Sequence, residues 1–301
     1  MLIQEAGCRM QGQRTSLTPF PLPPFLVPGS PILITEKEKA FTMIILVFLI
    51  CLAASTIGGI CGIGGGVVIK PLLDAIGLMP VSTVSFLSGL TVLAMACINV
   101  WKNRKGGELD GKRSIPLGIG AAVGGVVGKY MFSALKTAVG NDRVVGAVQA
   151  IVLGILVLGT LLYVLCKERI TTRNVSGMIV PALIGLFLGI CSSFLGIGGG
   201  PMNLAVLYYF FSMSTKQAAV NSILVILLSQ IASLIMTLVS GTVPEFTWGN
   251  LAAMVSAGAL GGFISARLHK KLSSELTDKL FIGLLIVILG ICVYNTVRML
   301  S

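Results

Sequence analysis

Apolar residues are grouped into ten runs, at about 41–60, 67–79, 82–100, 115–135, 144–165, 177–195, 201–213, 217–240, 248–266 and 280–297. Most approach the roughly 20 residues that carry a helix across a bilayer. Runs 67–79 and 201–213 are shorter, about 13 residues or roughly 20 Å of helix, and each follows a cluster of glycines. The pattern predicts an all-α, polytopic membrane protein in which two short helices start within the membrane. Residues 1–40 lack this pattern. They hold Pro19, Pro21, Pro23, Pro24, Pro28 and Pro31 and the mixed-charge run Glu36-Lys37-Glu38-Lys39, and are expected to be a disordered N-terminal extension.

The glycine clusters expose a duplication. Gly62-Ile63-Gly64-Gly65-Gly66 recurs as Gly196-Ile197-Gly198-Gly199-Gly200, 134 residues later. The same offset pairs Leu73 with Leu207, Met79 with Met213, Ser88 with Ser222, Leu90 with Leu224 and Leu93 with Leu227. A three-residue shift then aligns Gly124-Gly125 with Gly261-Gly262 and Gly146 with Gly283. The order of long and short runs is the same in both halves, so residues 41–166 read as a first membrane repeat and 167–301 as a second.

Charge orients these repeats. Basic residues number 22 and acidic residues 11, for a net charge of +11. They sit in short loops between spans, where the positive-inside rule accounts for them before nucleic acid does; no nucleic-acid-binding module is visible. The segments flanking each glycine cluster form either a pair that returns to its starting side, as two spans or a re-entrant hairpin, or one broken helix that crosses once. The returning pair collects Lys102, Arg104, Lys105, Lys112, Arg113, Lys167, Arg169, Arg173, Lys216, Arg267, Lys270, Lys271 and Lys279 on one side. A single crossing removes that bias. The returning pair gives each repeat an odd number of crossings, so the halves are expected to be inverted, with both termini outside.

Composition narrows the chemistry. Hydrophobic residues are 55% and charged residues 11%, against roughly 25% charged in soluble domains. Cys8, Cys51, Cys61, Cys97, Cys166, Cys191 and Cys292 form no CxxC pair, and His269 is the one histidine. There is no acidic pair, nucleophile–base pair or metal-ligand spacing, so the chain does not read as an enzyme and no metal or cofactor is expected.

Inverted repeats with interrupted helices are the pattern of secondary transporters, whose site lies near the midplane. A helix that starts in the membrane leaves its first N–H groups unpaired and its positive dipole end exposed. Gly64, Gly65, Gly66, Gly198, Gly199 and Gly200 could shape those amides into a nest for an anion; alternatively, they serve only close helix packing. GIGGG is not a phosphate loop, because no Lys-Ser/Thr follows it. Intramembrane polar residues supply further candidates. Lys70 and Asp74 share one helix face, as an anion contact and a protonatable coupling group or as a neutralised structural pair. Ser88, Asn221, Ser222 and Gln230 read either as substrate contacts or as interhelical hydrogen-bonding groups.

The doubled GIGGG, each copy followed by a short apolar segment and a Ser/Asn-bearing span, resembles the sulfite exporter TauE/SafE family over about residues 43–300. The resemblance implies a multi-pass carrier in the bacterial plasma membrane, exporting a small anion such as sulfite or an organosulfonate. The chain departs from an even motif set: Ala219-Val220-Asn221-Ser222 stands in repeat 2, but Ser85-Phe86-Leu87-Ser88 in repeat 1. An anion channel and a non-transporting membrane partner protein are the rival readings. Oligomeric state is not legible.

Overall fold

The computed structural model describes residues 36–300 except Lys105, Ser176, Gly198 and Gly199. The extension expected over 1–40 lies outside the described residues up to position 35. From there the chain forms α1 (Glu36–Cys61), α2 (Gly66–Ile76), α3 (Val81–Asn103), α4 (Gly111–Val139) and α5 (Asp142–Cys166). After a 3-10 turn come α6 (Ile179–Leu195), α7 (Pro201–Phe211), α8 (Thr215–Val239), α9 (Trp248–Lys271) and α10 (Ser274–Leu300). No strand occurs among the described residues. Among the described residues, seven helices are long and apolar enough to span a bilayer. The short pair is α2 and α7, each of 11 residues, or about 16 Å of helix.

The spans end where local chemistry stops them. Gly77 closes α2 at φ 74°, its N–H donating to the Leu73 carbonyl. The Asp110 and Asn141 side chains cap α4 and α5, and Ser214 with Gln217 forms a capping box on α8. On α4, Ile115, Ile119, Val123 and Val127 are exposed at i, i+4 spacing. A bare apolar stripe of this kind is what lipid accepts.

The two halves interlock. The first helix of each packs on the fourth of the other, as α1 on α9 and α6 on α4. Glycines permit both contacts. A Cβ on Gly124 would meet the Leu186 carbonyl oxygen and the Ile190 nitrogen at 2.0 and 3.0 Å. A Cβ on Gly261 would meet Thr56 nitrogen and Leu52 oxygen at 3.1 and 3.2 Å. Leu52 and Leu186, like Thr56 and Ile190, are 134 residues apart, so the same contact is made twice. The expected match of Gly146 to Gly283 does not hold in the fold. α5 and α10 start at Asp142 and Ser274, 132 residues apart, because α4 runs 29 residues against 24 for α9. A Cβ on Gly146 would touch the Met299 sulfur at 2.7 Å, whereas Gly283 has open space.

Equivalent helices meet in opposite order along their length. On α3 and α8, Phe86, Gly89 and Leu90 share a cavity with Gln230, Ser233 and Leu234, while Val92, Met95 and Ala96 pack on Ile226 and Ile223. On α5 and α10, Gly146 faces Met299 and Gly154 faces Cys292. The basic loops gather at one end of the bundle. There Arg113 donates to the Phe211 carbonyl, Lys167 pairs with Asp278, and Lys270 reaches the Lys102 carbonyl. At the other end Thr83 donates to the Glu245 carbonyl and Lys136 lies 3.5 Å from Asp142.

Candidate functional site

The two glycine turns meet in the centre. Gly62 and Gly64 take positive φ, 77° and 78°, where a side chain is strained. Gly65 does not. It sits at φ −64°, and what excludes a side chain is Ser55, whose Cα would lie 2.8 Å from the added Cβ. Gly66 abuts the second turn directly, with the Ile197 carbonyl oxygen 2.0 Å from its Cβ position. Each turn also wedges against the third helix of the other half. A Cβ on Gly62 would stand 2.3 Å from Ala219 Cα, and one on Gly196 would stand 2.8 Å from Ser85 Cβ. Ser85 and Ala219 are again 134 residues apart.

Beside the second turn lies a central cavity of about 40 Å³, room for a few waters or a small ion. Its polar lining is Ser85, Lys129, Gln149, Ser192, Ser193, Gln230, Ser233 and Thr237, with Gly196 in its wall and no carboxylate among the described residues. The buried Ser192 and Ser193 hydroxyls have no partner. Lys129, half-buried at the wall, has no described carboxylate within 4 Å; its ammonium lies 5.7 Å from the Phe132 ring centre.

At the end of α6 the carbonyls of Ser192, Ser193, Phe194 and Gly196 each receive a donor. Gly196 and Ile197 N–H donate to Ser193 and Ser192 oxygens at 3.1 and 3.3 Å. Gln149 donates to the Phe194 oxygen at 2.6 Å, and Ser88 to the Gly196 oxygen at 3.1 Å. The negative end of this helix is thereby covered by donors, and the hydroxyls remain free to face a ligand. The first turn is built alike. His269 Nδ1 lies 3.1 Å from the Ile60 oxygen, which only accepts, so Nδ1 carries the proton. Ile60 and Phe194 are equivalent positions.

The equivalent place in the other half is filled. Gly58 and Gly59 stand where Ser192 and Ser193 line the cavity, and a Cβ on Gly59 would overlap the Ser265 hydroxyl at 2.4 Å. Asn99 donates to Ser265 at 2.9 Å, and Asn103 to Asn99 at 2.8 Å. His269 Nε2 approaches Glu108 at 3.5 Å.

The sequence candidates therefore separate. Gln230 lines the cavity. Ser88 braces its wall through Gly196. Gly64, Gly65 and Gly66 are not among its lining residues; they are spent on turn geometry and on contacts with Ser55 and Ile197. Gly200 lines a separate small cavity with Pro201 and Asn203. Gly198 and Gly199 lie outside the described residues. Asn221 is at the basic end, accepting from Asp110 N–H and the Ser114 hydroxyl at 2.9 and 2.6 Å and donating to the Glu108 and Gln217 oxygens at 2.9 and 2.7 Å. With two bonds to each side-chain atom it has no capacity left for a substrate. Ser222 is buried with an unpartnered hydroxyl and is not in the central cavity.

Lys70 and Asp74 form a buried ion pair at 2.9 Å, 3% and 8% exposed. Lys70 also donates to Gln149 Oε1 at 3.0 Å. Asn295 takes the Pro71 carbonyl at 2.8 Å, and Arg298 takes the Asp74 and Ala75 carbonyls that end α2. Gln149, Ser192 and Ser193 went unnoticed in the sequence. The available signal was a lone amide in an apolar span and two hydroxyls directly before a GIGGG turn where the first repeat has glycines.

The family model described as Sulfite exporter TauE/SafE matches residues 47–291. The chain belongs to that family. It is similar to the "Probable membrane transporter protein YunE" of Bacillus subtilis (strain 168), at 22% identity over 276 residues, covering 82% of this chain and 95% of the relative. No solved structure matches it. This TauE/SafE chain is thus a multi-pass transporter of the cell membrane, embedded in lipid and acting on a small-molecule substrate.

Proposed function

We propose that the protein is a secondary carrier that exports a small sulfur oxyanion or organosulfonate, such as sulfite, by alternating access between two inverted repeats. The observation that carries this reading is the central cavity. Lys129 and the unpartnered Ser192 and Ser193 hydroxyls face it, and no carboxylate among the described residues lines it. In a low-dielectric interior such donors favour an anion and oppose a cation. The opposite order of contacts along α3–α8 and α5–α10 supports inversion, as does the gathering of basic loops at one end, which the positive-inside rule makes cytoplasmic. A carrier is favoured over a channel because the equivalent cavity in the other half is filled by Ser265, Asn99 and Asn103, so the path is not continuous. The test is a binding panel on detergent-purified protein with sulfite, thiosulfate, sulfoacetate, taurine and unrelated carboxylates. Sulfur anions should stabilise the protein and simple carboxylates should not; equal effects of both, or none, reject the substrate class.

A further inference from the structure

Resting on the reading of the central cavity as an anion site, we propose that Lys70 is a proton-linked switch. Its ammonium exchanges Asp74 for the bound anion, and Asp74 takes up one proton as it does so.

The geometry places Lys70 between two spaces. Its ammonium binds Asp74 Oδ2 and Gln149 Oε1. Gln149 lines both the central cavity and a smaller one of about 10 Å³ that holds Lys70 and Asp74. Lys70 Cε lies 3.4 Å from the Cβ position of Gly196, a wall residue of the central cavity. The ammonium is one bond beyond Cε, and in the switch it turns from Asp74 toward that wall. On the far side, Asp74 borders a vestibule of about 400 Å³ at the end opposite the basic loops, shared with Asp142, Arg143 and Arg298. Its Oδ1 is buried without a partner. A proton can therefore reach the carboxylate from the vestibule while the ammonium turns the other way.

Charge requires the two events to be linked. The Lys70⁺–Asp74⁻ pair is itself neutral, beside the Lys129 ammonium at the cavity wall. If Lys70 left for an anion and Asp74 stayed ionised, a buried carboxylate would lose its partner, which is strongly unfavourable. With a proton on Asp74 Oδ1 or Oδ2 no buried carboxylate is left unpaired: the ammonium meets the anion, beside a carboxylic acid. No covalent bond other than the new O–H forms. The titratable side chains lining the two spaces that Asp74 faces are Lys70, Cys292, Asp142, Arg143 and Arg298. The second half carries Leu204 and Tyr208 at the equivalent positions, so one switch serves each chain and one proton accompanies each anion bound.

The test uses purified full-length protein and sulfite. The sulfite-minus-free infrared difference spectrum of the wild type should gain the carbonyl stretch of one protonated carboxylic acid, and Asp74→Asn should lack it. Calorimetry in buffers of different ionisation enthalpy should show about one more proton taken up per sulfite by wild type than by Asp74→Asn, a comparison that cancels sulfite's own protonation. Wild-type affinity should gain about tenfold per unit fall in pH relative to Asp74→Asn, and Lys70→Met should lose affinity at least tenfold. Sulfite binding with no new carboxylic acid band overturns the switch and leaves the anion site standing, as does an unchanged affinity in Lys70→Met. No sulfite binding by the wild type overturns the anion reading and the switch with it.

Discussion

Gly66, the first residue of α2, lies against the carbonyl oxygen of Ile197, so closely that a Cβ would stand 2.0 Å from it. One glycine turn thus supplies the missing side chain that the other turn packs into. Gly66→Ala must displace one turn from the other. The variant should lose most of its folded, monodisperse yield in detergent, or several degrees of thermal midpoint. Gly159→Ala is the matched control, since Gly159 lies within α5 with nothing within 4 Å of its Cβ position. It should be neutral or more stable by about 0.5–1 kcal/mol, because alanine restricts the unfolded chain. Size-exclusion profiles and thermal midpoints of the two variants decide the matter.

Ser192 and Asn221 should respond in opposite ways. The Ser192 and Ser193 hydroxyls are buried without partners, so Ser192→Ala with Ser193→Ala removes no bond. The folded state should keep its stability or gain about 1 kcal/mol, while sulfite affinity falls at least tenfold. Asn221→Ala breaks four bonds, two of them to the α3–α4 loop, and should cost about 2–3 kcal/mol of stability with affinity unchanged in the protein that remains folded. Thermal shift and sulfite titration on the same samples separate the two effects.

Orientation follows from the clustering of Lys102, Arg113, Lys167 and Lys270 at one end. A reporter fused after Arg173 should report the cytoplasm, and one fused after Ser301 the outside. The same side for both contradicts inverted repeats.

Much of this architecture is legible in the chain because membrane helices are written in length and glycine. The ten apolar runs, including the two short ones after GIGGG, all correspond to helices. The 134-residue offset holds in the contacts of Gly62 with Ala219 and Gly196 with Ser85. The offset fails at Gly146 because α9 is five residues shorter than α4, a change that leaves no mark in an apolar pattern. The site was less legible. The glycines of the first turn looked like a nest for an anion, yet their conformations and packing are accounted for by Ser55, Ala219 and Ile197. What lines the cavity instead is a set of ordinary polar side chains, among them Gln149, Ser192 and Ser193, on different helices. Only the tertiary fold brings α5 and α6 together against α3 and α8, and a sequence pattern carries no record of which faces converge.

Counterflow in liposomes tests the central claim most directly. Vesicles containing purified protein are loaded with unlabelled sulfite and diluted into a trace of radiolabelled sulfite. A carrier with its site in the central cavity should accumulate label transiently above equilibrium, and the double variant Ser192→Ala, Ser193→Ala should not. Equal uptake with and without internal sulfite would mark a channel. No sulfite-dependent uptake by the wild type would contradict a sulfite carrier outright.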